Sequence, residues 1–190
     1  MKISRVIHSF VLFISILILA ACAPKAAATT YETVSAGSLQ PGSKIPAPTG
    51  PVVLTMEGKI SQTNSGDKLL FDMATLESIG LVKYDVDDPF LKKNIVYTGP
   101  LLSQLLKVAG AASDATTLTL WALDDYSTDM KIADGNKWPV LIATQADGAY
   151  IALDKNGPLI SVFPFNDFPE LDHLTYDNQW LWALARITVK

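Results

Sequence analysis

Apolar and polar positions alternate with changing period along this chain, and the changes mark its elements. Val52, Val53, Leu54 and Met56 open a β-prone run that predicts a first strand over residues 52–60. The polar stretch 62–67 predicts a turn, and residues 68–71 a short returning strand. Asp72 stands where an N-cap belongs, ahead of a short helix over 73–79 that Gly80 ends. Leu101, Leu102, Leu105, Leu106 and Ala109 recur at helical spacing, with Pro100 ahead of them and Gly110 behind, and predict a helix within 98–110. Further on the pattern is mostly strand, over 116–123, 127–132, 140–145, 150–153, 159–163 and 186–189. Asp147-Gly148 is a hairpin signal between two of these runs. Residues 84–93, with Asp85, Asp87 and Asp88 before Pro89, read as irregular, and 180–184 suits helix or strand equally. Strands outnumber helices and do not alternate with them, which argues an α+β fold with mixed or antiparallel β-sheets and short helices.

The first residues follow a different rule. Lys2 and Arg5 precede an apolar run from Phe10 to Leu19, shorter than the roughly 18–20 residues a membrane-spanning helix needs. Leu19-Ala20-Ala21-Cys22 follows, and this tetrapeptide resembles the bacterial lipobox. The resemblance implies a lipoprotein signal peptide over 1–21, cleavage before Cys22, and lipid attachment at Cys22. Several acyl chains there would give stable anchoring, where one alone binds only marginally. The implied location is the bacterial cell envelope, extracytoplasmic and on the periplasmic side, with Ala23 after the cysteine leaning toward the outer membrane. Residues 22–50, rich in Ala, Thr, Ser, Gly and Pro, read as a lipidated flexible tether, which leaves 51–190 as one globular domain.

Charge and sulfur narrow the chemistry. Once Lys2 and Arg5 are removed, 13 basic residues face 19 acidic ones, a net charge of −6. No basic patch or arginine cluster remains, so nucleic acid is excluded as a partner class. Cys22 is the single cysteine, so the domain has no internal disulfide and no thiolate for a metal.

Several short motifs then fall in a recognisable order. Gly99-Pro100-Leu101-Leu102-Ser103-Gln104-Leu105-Leu106 gives a G-x-x-L-x-x-L-L helix. Asp125-Tyr126 forms a turn between strands, Leu141-Ile142-Ala143 precedes Asp147-Gly148, and Gly157-Pro158-Leu159 leads to Pro164. This succession resembles the molybdopterin-binding domain of the sulfite oxidase family, over roughly residues 52–189. The resemblance implies an α+β sulfite-oxidase-type fold and, in the family's oxidoreductases, a pterin cofactor whose molybdenum takes one cysteine thiolate. That cysteine lies upstream of the G-x-x-L-x-x-L-L helix, and residues 81–96 here contain none. Thiolate is the fitting donor for so soft a site, and Asp85 or Asp87 is a poor substitute. The family's histidine and glycine ahead of the G-P-L strand are replaced by Asp154-Lys155-Asn156. The cofactor's phosphate calls for cations or N–H groups, yet the only arginine after cleavage is Arg186.

Other residues suit plainer roles. Asp167, Glu170, Asp172 and His173 could surround a divalent ion, but their spacing fits neither a calcium loop nor a zinc helix, and a solvated loop is the simpler reading. Asp124-Asp125 suits a turn and pocket rim better than acid–base catalysis. Trp121, Trp138, Trp180 and Trp182 suit a core better than ligand stacking. Ser103, Ser127 and Ser161 lack a base partner, so no hydrolase triad is drawn.

These expectations converge on an extracytoplasmic lipoprotein whose domain is a non-redox binding or accessory module for a small molecule or an envelope protein. Its candidate ligand pocket comprises Asp125, Tyr126, Lys155, Asn156 and Gly157, with no catalytic and no metal residue assigned. The alternative is a molybdopterin-dependent oxidoreductase that holds its cofactor without a cysteine ligand.

Overall fold

The alternation of inward apolar and outward polar side chains builds two five-stranded sheets and a short third one. The computed structural model describes residues 31–171 and 174–190. In chain order the elements are β1 (Glu32–Ser35), β2 (Val52–Gly58), β3 (Leu69–Asp72), α1 (Met73–Glu77), β4 (Leu81–Asp88), β5 (Lys93–Gly99), α2 (Leu102–Ala109), β6 (Thr117–Ala122) and β7 (Ser127–Lys131). They continue with α3 (Ile132–Lys137), β8 (Leu141–Ala143), β9 (Gln145–Ala146), β10 (Ala149–Tyr150), β11 (Ile160–Val162), α4 (Leu174–Asp177) and β12 (Leu184–Val189). One sheet has the order β1-β4-β5-β9-β10, another β3-β2-β12-β6-β7, and β11 pairs with β8. Among the described residues only β2 and β12 run parallel; the other pairings are antiparallel. The class is therefore α+β with mixed and antiparallel sheets, as the sequence pattern predicts. Among the described residues no helix is long and apolar enough to cross a membrane.

Local signals are realised closely. The Asp72 side chain accepts the Thr75 N–H and starts α1. α2 buries Leu102, Leu105, Leu106, Val108 and Ala109, and Gly110 closes it in the left-handed conformation. Asp147 and Gly148 both take positive φ, the geometry of a two-residue hairpin turn, between β9 and β10.

Three expectations are corrected. Residues 84–93 are not irregular: β4 and β5 form a ladder from Val82↔Gly99 to Asp88↔Lys93. Along β4, Val82, Tyr84, Val86 and Asp88 are buried while Asp85 and Asp87 face out. The inward set carries the strand, and the outward aspartates only imitate a loop. The expected tether over 22–50 is not a free segment at its described residues, 31–50. Within it, β1 pairs with β4, Ile45 is in the core, and the N–H groups of Thr49 and Gly50 donate to Asp72. Finally, residues 180–183 are neither helix nor strand. They are fastened to β11, where the Ser161 N–H donates to the Leu181 carbonyl, and the Ser161 hydroxyl accepts the Leu181 N–H and donates to the Gln179 carbonyl. Ser161 is thus a buried structural hydroxyl that both donates and accepts.

Candidate functional site

The candidate pocket residues lie on two turns that a third segment brings together. Leu123 opens the β6–β7 turn, and its N–H donates to the Ala183 carbonyl at 2.9 Å. The Ala183 N–H in turn donates to the Asn156 carbonyl at 2.7 Å. Ala183 itself has φ of 51°, a conformation unusual for a residue with a Cβ, and it serves as the rivet between the two turns.

Each turn is built by its own residues. Asp125 takes φ of 66°, and the Asp124 carboxylate accepts the Tyr126 N–H at 3.1 Å. The adjacent carboxylates therefore serve turn geometry. Across Ala183, a single 3₁₀ turn over Leu153–Lys155 ends at Asn156, which is left-handed with φ of 64°. The N–H groups of Lys155 and Gly157 both donate to the Ala152 carbonyl. Gly157 is buried, and a Cβ there would lie 2.0 Å from the Ile151 carbonyl oxygen, so only glycine allows this approach. The Gly157–Pro158 peptide is cis.

The structure thus places Asp125, Tyr126, Lys155 and Asn156 on the surface of two linked turns, with Gly157 beneath as a packing residue. Lys155 makes no ion pair with any described residue. A carboxylate, a phenol, an amide and a free ammonium on fixed turns can bind a polar or anionic group. They contain no nucleophile with a base beside it, and catalysis has no obvious starting point here.

The donor set does not fit a thiolate-bound molybdenum. Residues 81–96 form the closed β4–β5 hairpin and supply no sulfur. Asp85 and Asp87, the oxygen donors of that segment, are bridged by the Asn94 amide at 3.1 and 2.9 Å. Among the described residues, no group of three or more His, Cys, Asp or Glu side chains is arranged to hold a metal. Arg186 lies 3.7 Å from the Glu57 carboxylate and stacks over the Trp121 ring at 4.3 Å, so its charge is already engaged. Asp172 and His173 of the acidic loop lie outside the described residues, as does Cys22.

The tryptophans divide between core and rim. Trp138 and Trp180 are buried, while Trp121 and Trp182 are half-buried against Arg186 and Phe90. A cleft of about 620 Å³ lined by Asp129, Lys131, Asp134, Glu170, Tyr176 and Gln179 has no counterpart among the sequence motifs. Its walls come from separate segments, and no local motif joins them.

No protein-family model matches the chain, and no curated protein does. Among solved structures, the chain is similar to the sulfane dehydrogenase SoxCD from Paracoccus pantotrophus, with a TM-score of 0.54 and 15% sequence identity. The match covers 72% of this chain and 37% of that one, so the chain spans well under half the length of its structural neighbour. The likeness is one of fold, and it agrees with the sulfite-oxidase-type α+β architecture expected from the motifs.

Proposed function

We propose that this chain is an extracytoplasmic lipoprotein, anchored through Cys22, whose domain binds a small polar or anionic molecule without redox chemistry. The observation that carries this reading is the pairing of a kept scaffold with a missing donor. The fold resembles part of a redox enzyme, while the β4–β5 hairpin offers no thiolate and Arg186 is committed to Glu57 and Trp121. What remains at the linked turns is Lys155, Asn156, Tyr126 and Asp125, groups suited to recognition. Nucleic acid is not among the partners, and the implied membrane contact is the acyl chains on Cys22.

The fold likeness to a dehydrogenase favours a second reading, an oxidoreductase that holds molybdopterin without a cysteine. It requires replacing both the thiolate and the phosphate-binding cations. Metal and pterin analysis of protein exported by its own cells separates the two readings, since only the second needs the cofactor.

A further inference from the structure

The β4–β5 hairpin ends in Pro89-Phe90-Leu91-Lys92-Lys93. Phe90 and Leu91 are 44% and 51% exposed, and both lysines are exposed beside them. A loose tip would tuck two such apolar side chains away, but this one is braced. The buried Asp88 carboxylate accepts the N–H groups of Phe90 and Leu91 at 2.8 and 2.7 Å. The Phe90 ring meets Trp182 edge-on, with centroids 5.1 Å apart. The tip is therefore held in a shape that keeps apolar and aromatic surface in solvent, flanked by cations. Asp85 and Asp87 sit further back on the outward face of β4, tied to Asn94.

The direction of the chain says what could cover this tip. β1 pairs antiparallel with β4, Glu32 opposite Lys83 and Ser35 opposite Leu81. Followed backward from Ser35 to Glu32, the chain therefore heads the way β4 runs, toward the hairpin tip. From Lys83 to Asp88 that distance is about 17 Å at a strand's rise per residue. Eight residues lie between Cys22 and Tyr31, and the nine steps along the chain, at about 3.3–3.6 Å each, reach on the order of 30 Å. A span of that length lets a lipid on Cys22 reach the bilayer from the end of the sheet that carries Phe90, Leu91, Lys92 and Lys93.

We infer that this tip docks on the surface of the membrane that holds the anchor, with Phe90 and Leu91 at headgroup depth, Trp182 at the interface, and Lys92 and Lys93 on anionic phospholipid headgroups. The inference rests on the lipoprotein reading. Aromatic rings favour the interface, and lysines beside apolar side chains add attraction to anionic lipid. Two apolar side chains do not hold a protein on a bilayer alone, but the anchor makes the contact intramolecular, so a weak tip suffices to orient the domain. The linked turns sit beside this end, because Ala183 follows Trp182.

The test uses the full chain, exported and processed. If Cys22 is lipidated it has no free thiol, so Leu91→Cys introduces the only one, and Ser113→Cys, exposed at the far end of β12, serves as control. Each is labelled with an environment-sensitive dye and reconstituted in phosphatidylcholine–phosphatidylglycerol vesicles. The label at 91 is expected to shift to the blue, lose most of its quenching by iodide and be quenched by brominated lipid, while that at 113 stays open to iodide. Lys92→Glu with Lys93→Glu is expected to return iodide quenching at 91. Equal iodide quenching at both sites overturns the docking, as does shielding at 91 without quenching by brominated lipid, which would mean a protein covers the tip. Mass spectrometry of the N-terminal peptide reads the anchor separately: an unacylated Cys22 overturns the lipoprotein reading and removes the premise of the docking.

Discussion

The Asp88 carboxylate accepts the Tyr97 hydroxyl at 2.7 Å, with both residues about 1% exposed. One oxygen of Asp88 takes this phenol, and the other takes the two N–H groups that shape the hairpin tip. Burial, then the neighbouring Asp88, push loss of the Tyr97 proton well above the ordinary phenol range, so it remains a donor. Asp88→Ala removes three hydrogen bonds and leaves the Tyr97 hydroxyl unpaired. The expected cost is on the order of 3 kcal/mol, and Tyr97→Phe should cost roughly 1.5–3 kcal/mol. The double variant should cost less than the sum of the two, as denaturant unfolding of all three would read. Simple additivity would show that the two groups act independently.

Asp72 makes stability depend on acid. Its carboxyl is held well below the usual range, first by hydrogen bonds from Thr75 and then by the N–H groups of Gly50 and Thr49, with burial opposing. A carboxyl depressed in the folded state contributes fully above its unfolded value, about pH 4, and that contribution fades as pH falls toward the folded value. Asp72→Asn should therefore be less stable than the parent at pH 7, by roughly 1–2 kcal/mol. It should also lose less stability between neutral and strongly acidic pH, which thermal unfolding across that range measures. Parallel curves for the two proteins would contradict the assignment.

Local signals made much of this legible, and long-range pairing hid the rest. The Asp72 cap, the leucine stripe of α2 and the Asp147-Gly148 turn each act within a few residues, so the sequence displays them directly. β4 was also displayed, through the alternation of Val82, Tyr84 and Val86 with Lys83 and Asp85. The three aspartates resemble loop chemistry instead, and the inward one, Asp88, is satisfied in the interior by Tyr97 from the next strand together with the Phe90 and Leu91 N–H groups. Nothing local in Glu32–Ser35 announces a strand. It is one because the edge of β4 is free to pair. Of the candidate site, the two turns were legible from composition. Their junction at Ala183 was not, because it depends on how residues 180–183 lie along β11.

Gly157 tests the rigidity of the second turn. Gly157→Ala would push a methyl group into the Ile151 carbonyl, whose oxygen lies 2.0 Å from the Cβ position. The backbone must move, at an expected cost of about 1–3 kcal/mol. The same change should weaken any ligand held by Lys155 and Asn156, because both sit on the displaced turn. A variant as stable as the parent would show that the turn is softer than its geometry implies.

Lys155 tests recognition without disturbing the fold. It is exposed and makes no ion pair among the described residues, so Lys155→Glu should change stability by no more than about 0.5 kcal/mol. In a thermal-shift screen of small anions, stabilisation seen with the parent should disappear in this variant. Hits retained in full would move the binding site away from the turn.

The most direct test of the central claim is the molybdenum and pterin content of protein purified from the cells that export it. The account predicts neither in stoichiometric amount, since the described residues offer no thiolate and their one arginine, Arg186, is engaged with Glu57 and Trp121. One tightly held molybdenum atom per chain, with released pterin and turnover of an S-oxide or oxyanion, would contradict it.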